Sequence, residues 1–151
     1  MEFLKLTSTD AFIVFDLDAA PAVGIVRQAP KVLKDGAELL ARSTTYAMAS
    51  FGLAIGGASA GINAKPDARD AALAAFIEEV APLVESGRWL PGPGVGIATD
   101  ELTGLARADE RTVAFDQTAA GESAVAAALG ALGSLDGAQV AIVGNGSITE
   151  A

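Results

Sequence analysis

Any chemistry in this chain has to be done without the two commonest catalytic side chains, since its 151 residues include no histidine and no cysteine. That excludes a Ser-His-Asp triad, a thiolate nucleophile, a disulfide framework and any zinc site built on imidazole or thiolate. What remains is Asp, Glu, Lys, Tyr, Ser, Thr and the guanidinium of Arg. The densest concentration of special residues is the stretch 52–62, where Gly52, Gly56, Gly57 and Gly61 stand among alanines, with Ser59 between them. Glycine permits positive φ and lets a ligand or a second backbone come close. Thr45-Tyr46-Ala47 precedes this stretch, and Pro91-Gly92-Pro93-Gly94-Val95-Gly96 follows it. The plainer account is tight packing of two elements. The functional one is the close approach of a ligand to this backbone.

The elements that must position these residues read as follows. Residues 2–6 suit a short helical turn. The apolar run at residues 11–18 predicts a strand, and residues 22–27 a second, antiparallel to it after the turn at Pro21. Asp35 followed by Glu38 has the form of a capping box. Leu40, Thr44, Ala47, Met48 and Phe51 then give a helical stripe that stops at Gly52. The glycine stretch reads as a loop, with a short strand at residues 60–63. Asp67 reads as the N-cap of the clearest helix, whose stripe is Leu73, Phe76, Ile77, Val80 and Val84. Pro82 kinks its last turn and Gly87 ends it. Glu78 and Glu79 belong on its solvated face. Residues 91–96 form a rigid turn, Thr99 caps a short helix, and strands are expected at residues 112–115 and 139–144 with a helix at 119–132 between them.

In order and spacing, from Ala22 to Thr149, these landmarks resemble the amino-acid dehydrogenases acting on glutamate, leucine, phenylalanine and valine. The leucine/valine type is the nearest. The resemblance implies an α/β fold: a three-layer-like mixed sheet with packed helices, followed by a C-terminal remnant of a Rossmann domain. It divides the chain into a substrate and dimerisation domain at 1–117 and a truncated dinucleotide-binding part at 118–151. In that family a lysine of Thr-Tyr-Lys binds substrate, a lysine after Gly-Gly-Ala is catalytic, and an Asp of Asp-Val-Gly handles the amine proton. Carried across, these positions hold Ala47, Ser59 and Gly94, and a further substrate lysine of the glutamate branch falls on Val23; the resemblance thus implies a pocket relined by Arg27, Tyr46, Ala47, Gly56, Gly57, Ser59 and Gly94. Nearby Lys65 and Asp100 read as a solvated turn residue and a first-turn helix charge, not as replacements. The family would use NAD. Here Gly144, Gly146 and Thr149 give only the opening of the dinucleotide fingerprint, and the sequence stops before the crossover helix that would hold the pyrophosphate. No cofactor and no metal are therefore expected.

The formal charge of −9 and pI near 4.3 disfavour nucleic acid and anionic membranes by repulsion. No apolar run approaches the roughly 18–20 residues of a membrane span, and Met1-Glu2-Phe3-Leu4-Lys5 does not begin a secretory signal, so a cytoplasmic location is expected. Phe12, Ile13, Val14 and Phe15 make both faces of one strand apolar, which predicts burial across a homo-oligomer interface. The expected function is that of a non-catalytic homologue of a dehydrogenase substrate domain, acting by self-association or as partner of an intact dehydrogenase. The alternatives are a cofactor-independent enzyme whose relined pocket takes an apolar small molecule, and a fragment of a longer NAD-dependent protein.

Overall fold

A computed structural model describes residues 1–18, 21–98, 100–106, 117–139 and 141. The chain divides into two compact units, Met1–Thr112 and Val113–Ala151. The first is built on a five-stranded mixed sheet. Its strands are β1 (Glu2–Lys5), β2 (Ala11–Phe15), β3 (Ala22–Ala29), β4 (Gly56–Asn63) and β5 (Trp89–Pro93), lying in the order β1-β2-β4-β3-β5. The β1–β2 and β2–β4 pairs are antiparallel, whereas β3 runs parallel to both β4 and β5. The helices are α1 (Lys34–Ser50), α2 (Arg69–Glu85) and the short α3 (Thr103–Ala106).

The two sequence periods decide which side each residue serves. Along β4, Ala58, Ala60 and Ile62 join Ile13, Phe15 and Val26 in the larger core, against Leu73, Phe76, Val80 and Val84 of α2. Phe76 and Phe15 meet the buried ring of Trp89 edge-on, at 6.2 and 6.3 Å between centroids. On the other side Phe12 and Val14 pack under Ala37 and Ala41 of α1. The sheet thus has a helix on each face, a three-layer arrangement in keeping with the α/β class expected from the sequence.

Several local expectations are corrected. Residues 2–5 are a strand, because antiparallel pairing with β2 supplies backbone partners that one isolated turn would lack. The strands β2 and β3 do not form a hairpin, for β4 lies between them. The glycine stretch is not a loop from residue 56 onward: it is the buried central strand, and only Gly52, at φ +72°, serves as the helix stop. The expected turn at 91–96 begins as β5 and turns only after Pro93. Neither expected side-chain cap forms. Leu33 is the N-cap of α1, and α2 follows a 3-10 turn at Pro66–Ala68 that leaves Asp67 outside the cap position. The packed stripe of α1 is centred on Ala37 and Ala41, while Ala47 and Phe51 are exposed. Both apolar faces of β2 are covered within the chain, so the strand gives no argument for an interface. In the second unit the expected helix is present, as α4 (Gln117–Leu132). Thr99, the strand at 112–115, and Gly144, Gly146 and Thr149 lie outside the described residues, as does the strand at 139–144 except for residues 139 and 141.

Glu79 was read as a solvated charge, and its contacts give it a second role. Its carboxylate accepts bonds from the amides of Thr7, at 2.9 Å, and Ser8, at 2.8 Å, and from both their hydroxyls, closing the β1–β2 connection onto α2. The Ser8 hydroxyl is the leading cause, with the two amides behind it, that holds its pKa at about 2 rather than 4.5. A depressed carboxylate pKa means that the contribution to stability is complete above pH ~4.5 and is lost as pH falls through about 2. Protection of the Thr7 and Ser8 amides, taken relative to their intrinsic exchange rate at each pH, should fall across that window in the native protein. In Glu79→Ala it should be lost at every pH; protection that persists in that variant would remove the carboxylate from this role.

Candidate functional site

The helix α1 lies along β4, touches β2 and only grazes β3. On that face of the sheet the odd-numbered residues Val23, Ile25 and Arg27 of β3 are half-buried, as are Leu90, Gly92 and Gly94 beside them. The result is a shelf with α1 as its wall and β3 and β5 as its floor. At 100° per residue, Gly36, Leu40 and Ala47 share the flank of α1 that borders the shelf, while Tyr46, 68% exposed, points away from the sheet. The acids Asp35 and Glu38 are on the opposite flank, where with Met1, Leu39 and Arg42 they line a separate hollow.

Arg27 is the one charged residue on the shelf floor. Its Nη2 donates to the Ser59 hydroxyl at 3.4 Å, and Ser59 is fully buried. Its Nε is buried without a partner, and no carboxylate pairs with it among the described residues. Desolvation lowers the guanidinium pKa from its ordinary value, yet arginine stays charged at any pH the fold survives. Two glycines make this geometry possible. A Cβ on Gly57 would lie 1.9 Å from the Ala41 carbonyl oxygen, so only glycine lets α1 settle on β4. A Cβ on Gly94 would lie 2.7 Å from the Val26 carbonyl oxygen and 3.1 Å from Cγ of Arg27.

Of the residues singled out from the sequence, Arg27, Ser59 and Gly94 come together, Gly57 lies beneath the helix next to them, and Ala47 stands on the bordering flank. Tyr46 is not brought in, and Gly56 faces the opposite side of the sheet, towards Leu17. Lys65 and Asp100 are both exposed. Thr45 was passed over by sequence reasoning. Its hydroxyl donates to the Ala41 carbonyl at 3.2 Å and accepts from the Gly57 amide at 2.9 Å, pinning helix to strand. The signal for it was a threonine one turn after a small residue on what proved to be the packed face. Among the described residues no group of three or more acids could hold a metal ion, and no helix is long and apolar enough to cross a membrane.

The family described as Glu/Leu/Phe/Val dehydrogenase, dimerisation domain, matches residues 5–110. The fold resembles L-tryptophan dehydrogenase from Nostoc punctiforme, with TM-score 0.62 and 26% identity over 87% of this chain and 42% of that one. It also resembles the leucine-bound form of a hetero-hexameric glutamate dehydrogenase from Thermus thermophilus, with TM-score 0.56 and 23% identity over 71% of this chain and 29% of that one. The chain thus spans less than half the length of these solved structures. No curated protein matches it.

Proposed function

The chain belongs to the Glu/Leu/Phe/Val dehydrogenase family through its dimerisation domain, and from that premise we propose that it works as a self-associating module without dehydrogenase chemistry of its own. The observation that carries the second half of this reading is the closure at Gly94. The family's proton-handling carboxylate falls on this residue, where even a Cβ would meet the Val26 carbonyl oxygen at 2.7 Å. An aspartate there requires the backbone to move. Ser59 and Ala47, at the two lysine positions, offer no ammonium group either.

Self-association rests on the family and on the edges of the sheet. The outer edge of β5 carries Pro91 and Pro93, which have no amide to donate, whereas β1 has no proline. The Leu6 amide bonds inward to Ala11, so by antiparallel alternation the amides of Phe3 and Lys5 face outward. Exposed Met1, Phe3, Leu33 and Leu39 add apolar surface near this edge. Pairing of β1 with a second copy would satisfy the amides and cover these side chains.

Light scattering at micromolar concentration is expected to give at least twice the chain mass of 15.1 kDa, and Lys5→Pro, which removes an outward amide, should lower it. A mass of one chain overturns the assembly reading. Turnover of leucine, valine, phenylalanine or glutamate with NAD, above a protein-free blank, overturns the non-catalytic one.

A further inference from the structure

Beyond assembly, we propose that Asp136 is a site of spontaneous aspartyl isomerisation, whose product is a substrate for an isoaspartyl carboxyl methyltransferase. The sequence places a glycine directly after an aspartate at 35–36 and again at 136–137. Such a pair can react with itself. The Gly137 nitrogen, giving up its proton, attacks Cγ of Asp136; a carboxyl oxygen leaves as water and a five-membered succinimide remains. Hydrolysis of the ring consumes one water, so the mass returns to its starting value. Water that adds at the side-chain carbonyl restores aspartate. Water that adds at the main-chain carbonyl leaves the chain running through Cβ, with an extra methylene in the backbone and a free α-carboxylate beside it. The methyltransferase moves a methyl group from S-adenosylmethionine to that carboxylate and releases S-adenosylhomocysteine.

The structure separates the two pairs. Closing the ring brings Cβ of the aspartate into one plane with the next nitrogen, a ψ that no α-helix has. Asp35 and Gly36 lie in the first turn of α1, where the Ala37 amide donates to the Leu33 carbonyl at 3.2 Å and Lys34 bridges to Glu38. Rotating ψ of Asp35 breaks that turn, so ring closure there waits on local opening of the helix. Asp136 and Gly137 are instead the central residues of an exposed turn beyond the end of α4. One backbone bond spans it, from the Ala138 amide to the Leu135 carbonyl at 3.0 Å, and the Asp136 amide donates to the Ser134 hydroxyl at 3.1 Å. Among the described residues nothing pairs with the Asp136 carboxylate or accepts from the Gly137 amide. Gly137 has φ +73°, and no atom lies within 4 Å of where its Cβ would stand, so the attacking nitrogen is unshielded. Both reacting groups are therefore free and in solvent, on a turn that one backbone bond holds closed.

The test is incubation of the full chain in warm neutral buffer, native and in urea, with samples taken over weeks. Peptide mapping with electron-transfer fragmentation distinguishes isoaspartate from aspartate at equal mass and places each product. An isoaspartyl carboxyl methyltransferase with labelled S-adenosylmethionine then reads whether the folded chain presents it. In the native chain isoaspartate should accumulate at 136 at least about tenfold faster than at 35, because α1 has to open first. In urea, with α1 unfolded, the two rates should converge. Methyl label should rise in step with the product at 136. It should be absent there from Asp136→Glu, whose longer side chain would have to close a six-membered ring. Asn145-Gly146, outside the described residues, can give the same linkage, but its deamidation changes the peptide mass and mapping keeps it apart. No isoaspartate at 136 in the native chain, or equal rates at 35 and 136 without urea, overturns the proposal. Isoaspartate at 136 that takes no label in the folded chain overturns the assignment of the methyltransferase.

Discussion

Ser59→Lys should destabilise the domain by about 3–5 kcal/mol at neutral pH, the usual cost of an uncompensated buried charge. Ser59 has no exposed surface, and its hydroxyl is 3.4 Å from the Arg27 guanidinium, so the new ammonium would be both desolvated and faced by a like charge. Both effects lower the lysine pKa in the folded state below that in the unfolded one. Folding then has to expel a proton, and the penalty is present throughout the range below the unfolded pKa. It should shrink as pH is raised towards about 10, where the unfolded chain loses the proton as well. Urea midpoints at neutral and alkaline pH measure this directly, with Ser59→Ala as the volume control. A midpoint equal to that of the native chain at neutral pH would show that the position is open to water, and the description of the shelf would have to be redrawn. The experiment also bears on the proposed absence of dehydrogenase chemistry, because a lysine placed here would stand next to the Arg27 guanidinium.

Gly57→Ala is expected to be as damaging for a steric reason. The added Cβ falls 1.9 Å from the Ala41 carbonyl oxygen and 2.7 Å from the Thr45 amide nitrogen, both backbone atoms inside α1 that cannot rotate away. The whole helix has to lift from β4, breaking the bond between the Gly57 amide and Thr45 and opening a gap over Phe12 and Val14. A loss on the order of 3 kcal/mol, at the upper end of ordinary overpacking, is the expected result. Hydrogen exchange should localise it to α1 while α2, on the other face, stays protected. Gly104→Ala is the contrast, since nothing stands within 4 Å of its Cβ position; a change within about 1 kcal/mol is expected there. Equal effects of the two substitutions would refute the packing account.

The sequence showed α2 plainly because Leu73, Phe76, Val80 and Val84 obey a helical period and face one large core. Other elements depend on what lies beside them. Gly56 to Gly61 carries little β propensity and became a strand through neighbours on both sides, so a reading from composition gives a loop. Phe12, Ile13, Val14 and Phe15 announced a strand buried on both faces, but not whether a helix or a second subunit buries it. The stripe of α1 misled because its contacts are alanines. Ala37 and Ala41 are small because β4 comes so close, while larger residues such as Leu39 and Phe51 remain in solvent. At the candidate site, Arg27, Ser59 and Gly94 were grouped in one pocket by the resemblance, not by any pattern in the residues themselves. Their meeting depends on β3 lying between β4 and β5, which no periodicity reports.

The interior position of β4 also constrains the order of events when the chain folds. With residues 1–55 alone, β2 and β3 have no strand to join them, and each shows an open apolar edge. The sheet closes only when residues 56–63 thread into that gap, which brings together partners as far apart as Phe12 and Gly61. Closure entropy has to be met before those bonds form, and the arriving segment has little tendency to be extended beforehand. Folding is consequently late and concerted. During synthesis the first third of the chain waits with two unsatisfied strands, the period in which it is most open to capture by a chaperone or by another copy of itself.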